Sequence, residues 1–96
     1  MATLPQDEID AALAGDLSDW HQDGDAITRE IHASTFLGGI TLVQRVAEAA
    51  EALDHHPDID VRYTTLTFTL STHSEGGITA KDLDLAAQID GLAASG

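Results

Sequence analysis

Cysteine is absent from the 96 residues of this chain, which excludes a disulfide framework, a thiolate nucleophile and any zinc site built on cysteine. Basic residues are scarce. Four Lys and Arg, with Lys81 the single lysine, stand against 17 Asp and Glu, for a formal charge of −13. A field of that sign repels phosphate backbones and anionic lipid, so no direct nucleic-acid partner is expected. The excess of carboxylates fits a surface adapted to high salt, with an ordinary acidic cytosolic protein as the plain alternative; the first reading requires added salt to stabilise the fold. No apolar run approaches the ~18 residues needed to span a bilayer. The segment from Met1 to Glu8 lacks the basic and apolar regions of a signal peptide. A cytoplasmic location with no membrane partner is therefore expected. There is no internal repeat, low-complexity stretch or linker, and a chain of this size buries only about 60–65% of its unfolded surface, too little for two cores. Residues 1–96 read as one domain.

What the chain does contain is histidine at the places where ordered structure stops. Of 5 histidines, two form the doublet in Glu51-Ala-Leu-Asp54-His55-His56-Pro57 and a third follows in Leu70-Ser71-Thr72-His73. Imidazole titrates near neutrality, so three converging rings suit either proton transfer or metal binding.

The surrounding pattern alternates between helix and strand periods. Thr3 is placed to cap a first helix from about Leu4 to Ala14, with Pro5 in its first turn, Asp7 and Glu8 near its positive end, Ile9, Ala12 and Leu13 on one face, and Gly15 as its stop. Leu17 to Gln22 and Asp25 to Ala33 read as strands joined at Asp23-Gly24, with Ile27, Ile31 and Ala33 on one side. From Thr35 the period changes: Phe36, Ile40, Val43, Ala47, Ala50 and Leu53 form one helical stripe, and Pro57 stops that helix so that His55 and His56 sit at its end. Asp60 to Thr72 reads as strand, but Val61 and Tyr63 are out of phase with Leu66, Phe68 and Leu70, which requires a turn or bulge near Thr64 and Thr65. After Ser74-Glu-Gly-Gly77, Thr79 caps a final helix carrying Leu83, Leu85, Ala86, Ile89 and Leu92, followed by a small-residue tail. The order helix-strand-strand-helix-strand-strand-helix predicts an α+β fold, a four-stranded antiparallel sheet with three helices packed on one face.

Taken together, Glu51, His55-His56-Pro57, Tyr63, His73 and Asp82 resemble, at their spacings, the signature of the pterin-4a-carbinolamine dehydratases. Trp20, the Thr35 to Leu53 helix with Arg45-Val46-Ala47, the Leu70-Ser-Thr-His73 strand end and Leu85-Ala86 extend the likeness from about Thr3 to Leu92. The resemblance implies a homodimer or homotetramer that removes water from a 4a-hydroxytetrahydropterin to give a quinonoid dihydropterin, without metal or organic cofactor, in the recycling of tetrahydropterin. It also implies His55 and His73 as the acid and base, in either order, with His56 positioning the pterin. Asp54, His55 and His56 would form one side of the substrate site, and Ser71, Thr72, His73 and Ser74 the other. Glu51, one turn before His55, is placed to accept from that imidazole at i,i+4 spacing. Asp82 and Trp20 complete the implied site.

Plainer roles stand beside these. Asp82 is at the third helical position after Thr79 and could form only a capping box. Glu51 could be a solvated helix residue, the doublet could merely complement the helix dipole, and Trp20 could be core. His21 and His32 lie outside the motif and read as surface or sheet-packing residues. Ser74 stands where some relatives have Glu, and here Glu75 follows one position later. Two other functions compete. A zinc hydrolase would use three imidazoles and water, but adjacent histidines usually diverge and the His-Glu-x-x-His spacing is absent. A non-enzymatic module of the same fold would stabilise a partner's dimer through its Leu- and Ala-rich helical faces.

Overall fold

The computed structural model describes residues 2–95. Its elements are α1 (Gln6–Ala14), β1 (His21–Asp23), β2 (Ala26–His32), α2 (Phe36–Leu53), β3 (Asp58–Arg62), β4 (Thr65–Leu70), a 3-10 turn (His73–Glu75) and α3 (Ala80–Ser95). The strands form one antiparallel sheet in the order β1-β2-β4-β3, the element order and sheet type read from the sequence.

Strand register sorts the side chains onto two faces. Cross-strand rows Ile27–Leu70, Arg29–Phe68–Ile59 and Ile31–Leu66–Val61 share one face. Rows through Thr28–Thr69–Asp58, Glu30–Thr67–Asp60 and His32–Thr65–Arg62 share the other, which is polar. The apolar face packs against Ile9 of α1, Leu42, Val46 and Ala50 of α2, and Leu85, Ala86 and Ile89 of α3 in one core cluster. All three helices therefore lie on the same side. Phe68, Leu66 and Leu70 are fully buried at its centre. The parity slip noted between Val61 and Leu66 follows from a two-residue hairpin loop, Tyr63-Thr64: pairing Arg62 with Thr65 sets odd residues opposite even ones. Tyr63 takes a left-handed φ of 52° to close it.

Several boundaries differ from expectation. Helix α1 starts at Gln6 with Pro5, not Thr3, at its N-cap and no side-chain cap; the chain before it is held instead by Leu4 N–H donating to the Ile78 carbonyl at 2.9 Å. Leu17 to Trp20 is not strand. Leu17 N–H donates to Ala12 O and Trp20 N–H to Leu17 O, both at 3.0 Å, so these backbone groups are spent on turns, and Leu17 and Trp20 are buried at a spacing of three rather than two. The hairpin loop is Gly24-Asp25, because Asp23 pairs with Ala26; β2 thus begins at Ala26 and ends at His32. Gly24 supplies the positive φ that the loop needs.

The buried stripe of α2 is also rotated from the predicted one. Gly39, Leu42, Val46 and Ala50 are buried, with Val43, Ala49 and Leu53 packed beside them. Phe36, Leu37 and Ile40 remain exposed, as does Ala47. Two stripes of similar apolar character run along this helix, and the sheet takes the one containing Gly39, where a Cβ would meet Leu66 at 3.5 Å. The expected small-residue tail is helical through Ser95, with Gly96 outside the described residues.

Candidate active site

The end of α2 carries the doublet. Asp54 takes the left-handed conformation (φ 51°, ψ 44°). Its N–H donates to Glu51 O at 3.2 Å, and the N–H of His55 donates to Ala50 O at 3.0 Å. That pair of bonds is a Schellman stop, and Asp is among the few non-glycine residues that tolerate it. Pro57 lies beyond the stop and keeps the chain extended into β3. The reversal sends the two imidazoles in different directions: His55 is buried at 8% exposure, while His56 is exposed.

His55 Nε2 lies 2.6 Å from Asp82 Oδ1. Asp82, at the start of α3, is fully buried. Its second oxygen accepts the Thr72 hydroxyl at 2.8 Å and the Thr79 backbone N–H at 2.9 Å. Thr79 accepts Lys81 N–H at 3.3 Å, so Thr79 and Asp82 form the capping box. The same carboxylate also reaches across to α2. A buried carboxylate is stabilised only by such charge-assisted donors, here three of them.

Thr72 joins the third histidine to this group. Its backbone pairs with Gly77, donating at 2.9 Å, which folds residues 73–75 into a 3-10 turn closed by left-handed Gly76. His73 and Ser74 are exposed on that turn. The structure thus brings the α2 terminus, the end of β4 and the start of α3 together through Asp82.

Other expected residues are placed differently. Glu51 pairs with His56 Nε2, not with His55; the left-handed turn at Asp54 breaks the helical i,i+4 geometry, and His55 is already held by Asp82. Ser71 donates its hydroxyl to Asp25 O at 2.8 Å, and Thr72 is buried, so both hydroxyls are engaged within the fold. Asp54 is exposed at the helix stop. Trp20 is buried in the core, its indole N–H donating to Asp90 at 2.8 Å. Asp90 is two turns, roughly 12 Å, further along α3 than Asp82. It also pairs with Arg29, the one charged side chain on the apolar sheet face of β2. His32 lies on the polar face, bonded to Thr65 at 3.2 Å.

Among the described residues no group of three or more His, Cys, Asp or Glu side chains is placed to hold a metal ion, so the three imidazoles do not make the ligand set that a zinc hydrolase needs. Two concavities, about 320 and 630 Å³, open beside β2 and the C-terminal half of α3. Neither is lined by His55, His56 or His73.

Two features were missed in the sequence. Thr79 reads in the sequence only as a cap, and the Arg29–Asp90–Trp20 cluster goes unread. The signal for the second was present: Arg29 is in phase with Ile27 and Ile31 on a half-buried strand, which demands an acidic partner from the covering layer.

Comparison with known proteins gives a consistent result. Residues 2–92 match the family model described as pterin 4 alpha carbinolamine dehydratase. A Mycobacteroides abscessus protein whose name places it among the pterin-4-alpha-carbinolamine dehydratases is 59% identical over 94% of this chain and 95% of its own length. A similarly named protein of Nocardia farcinica is 58% identical over the same shares. A Brucella melitensis crystal structure, described as a transcriptional coactivator/pterin dehydratase, superposes with a TM-score of 0.90 at 33% identity, covering 95% of this chain and 98% of that one. A pterin dehydratase-like protein identified as a RuBisCO assembly factor shares the fold, with a TM-score of 0.63 at 19% identity. The chain belongs to the pterin 4 alpha carbinolamine dehydratase family, a family of hydro-lyases.

Proposed function

We propose that this protein dehydrates a 4a-hydroxytetrahydropterin in the cytoplasm, by histidine general acid–base catalysis, as one step of tetrahydropterin recycling. The reaction needs one proton delivered to the departing C4a hydroxyl and one removed from N5, whose lone pair expels that hydroxyl as water. The product is the quinonoid dihydropterin, and the two protons balance, so an acid and a base suffice. Such positioned transfers contribute about 10²- to 10⁴-fold each.

The observation that carries the reading is His55 seated on buried Asp82, with Thr72 linking that carboxylate to the turn of His73. His55 and His73 are the acid and base. Exposed His56, steadied by Glu51, contacts the substrate. Asp54 and the 71–74 segment flank the site, and because the Ser71 hydroxyl and both the hydroxyl and the backbone of Thr72 are engaged within the fold, these two residues serve to hold His73 and Ser74 in place. Stopped-flow loss of 4a-hydroxytetrahydropterin tests this directly. Decay no faster with enzyme than without it would refute the reading.

Oligomerisation belongs to the same proposal. Phe36 and Tyr63 stack at 6.4 Å on the surface, with Leu37, Ile40 and Val61 also exposed. Apolar surface of this kind on an acidic chain is covered in an assembly, and a homodimer or homotetramer supplies the cover. The same patch supports the second reading, a module that stabilises a partner's dimer. Phe36→Asp should reduce the mass seen by light scattering to that of one chain; an unchanged mass would place the contact elsewhere.

A further inference from the structure

The bonds around Asp82 have a direction, and it reaches His55. Lys81 and Thr79 backbone N–H groups can only donate, the first to Thr79 Oγ1 at 3.3 Å and the second to Asp82 Oδ2 at 2.9 Å. The Thr72 hydroxyl gives its single proton to Asp82 Oδ2 at 2.8 Å. Thr72 Oγ1 lies 2.8 Å from Thr79 Oγ1 and has no proton left for that bond, so Thr79 donates to Thr72. With two donors on Oδ2, Oδ1 faces the imidazole as an acceptor at 2.6 Å, and His55 must donate Nε2–H. The neutral ring then carries its lone pair on Nδ1. That nitrogen has no hydrogen-bond partner, yet Arg29 Nε is the one buried side-chain nitrogen or oxygen without a partner among the described residues. His55 Nδ1 is therefore not sealed from solvent, although the residue is 8% exposed.

We propose that Thr72 and Thr79 are positioning residues: the chain from Lys81 N–H through Thr79 and Thr72 to Asp82 locks His55 in the Nε2–H tautomer and presents Nδ1 as its working nitrogen. Because Thr72 directly precedes His73, the same bond fixes the turn carrying His73 relative to the end of α2. Neither threonine touches substrate through its hydroxyl. The assignment rests on the dehydratase reading for its catalytic consequence, but the tautomer stands on the hydrogen bonds alone.

The test pairs a spectroscopic readout with kinetics. Imidazole ¹⁵N spectra of the folded protein, assigned through His55→Gln, should show His55 with a protonated Nε2 and a lone-pair Nδ1. Thr72→Val should shift part of the population away from that tautomer and lower kcat about tenfold, the loss of one charge-assisted hydrogen bond, with KM within about twofold. Thr72→Ser, which keeps the hydroxyl, should restore both. Thr79→Val, which leaves both bonds to Asp82 in place, should move them in the same direction by less, and decides the matter should Thr72→Val fail to fold. A wild-type spectrum with Nδ1–H would overturn the proposal, as would hydroxyl-deleted variants retaining wild-type tautomer and kcat. Wild type lacking dehydratase activity would instead refute the functional reading, while the spectra still decide the relay.

Discussion

Replacing Asp82 by Asn separates what the carboxylate does for stability from what it does for His55. The amide keeps one oxygen, which can occupy the place of Oδ2 and accept from Thr72 and Thr79 N–H as before. Its NH₂ then faces His55 at the former position of Oδ1, where it can only donate. Imidazole Nε2 must become the acceptor, and the ring proton moves to Nδ1, the unpartnered side. The stability cost is modest, about 1–2 kcal/mol for loss of charge assistance in a buried network. For a domain of this size each kcal/mol lowers Tm by about 4–8 °C, so melting by circular dichroism should show a shift of about 5–15 °C with a cooperative transition retained. The catalytic cost is larger. A histidine held in the wrong tautomer can lose up to about 10⁴-fold in kcat, and a drop of about 10²- to 10⁴-fold is expected here, the span assigned to one general acid or base. A folded Asp82→Asn protein that dehydrates substrate at the wild-type rate would show that the carboxylate does not set the working state of His55.

Two other perturbations test parts of the fold away from the site. Asp90→Ala removes the partner of the Trp20 indole and one of the two carboxylates paired with Arg29, leaving Asp19 at 3.5 Å; that remaining pair and the partly open setting temper the full buried-pair penalty, and a loss of about 2–4 kcal/mol is expected. Trp20 is the only tryptophan, so its emission reports the change directly, and an Asp90→Ala protein melting like wild type would show the cluster to be inert. With a formal charge of −13, self-repulsion opposes folding at low ionic strength, and Tm should climb as salt is raised from about 10 mM to 1 M, where the screening length falls from about 30 to 3 Å. A flat Tm would remove the argument for adaptation to high salt.

The element order was legible because most elements announce themselves by local chemistry. Thr79 with Asp82 marks the start of α3, and the odd-to-even slip between Val61 and Leu66 forces a hairpin loop. Errors arose where local patterns were ambiguous. Leu17 and Trp20 look like strand residues but are buried by consecutive turns. Helix α2 carries two apolar stripes, and only the approach of the sheet at Gly39 selects one. At the site, the spacing of His55, His73 and Asp82 picked out the residues, while their wiring was not readable. The pairing of Glu51 with His56 depends on the left-handed turn at Asp54, and the pairing of His55 with Asp82 joins residues 27 apart in sequence. Spacing along a chain says which groups meet only when the backbone between them is regular.

The dehydratase proposal stands or falls on His55 and His73 acting together as acid and base. Decay of 4a-hydroxytetrahydropterin with wild type, His55→Ala, His73→Ala and the double variant, each shown to be folded, decides this. Wild type should exceed the uncatalysed rate, each single variant should lose at least about 10²-fold, and the double variant should lose little more than the worse single, as groups acting in one step are not additive. Single variants that retain wild-type kcat would contradict it.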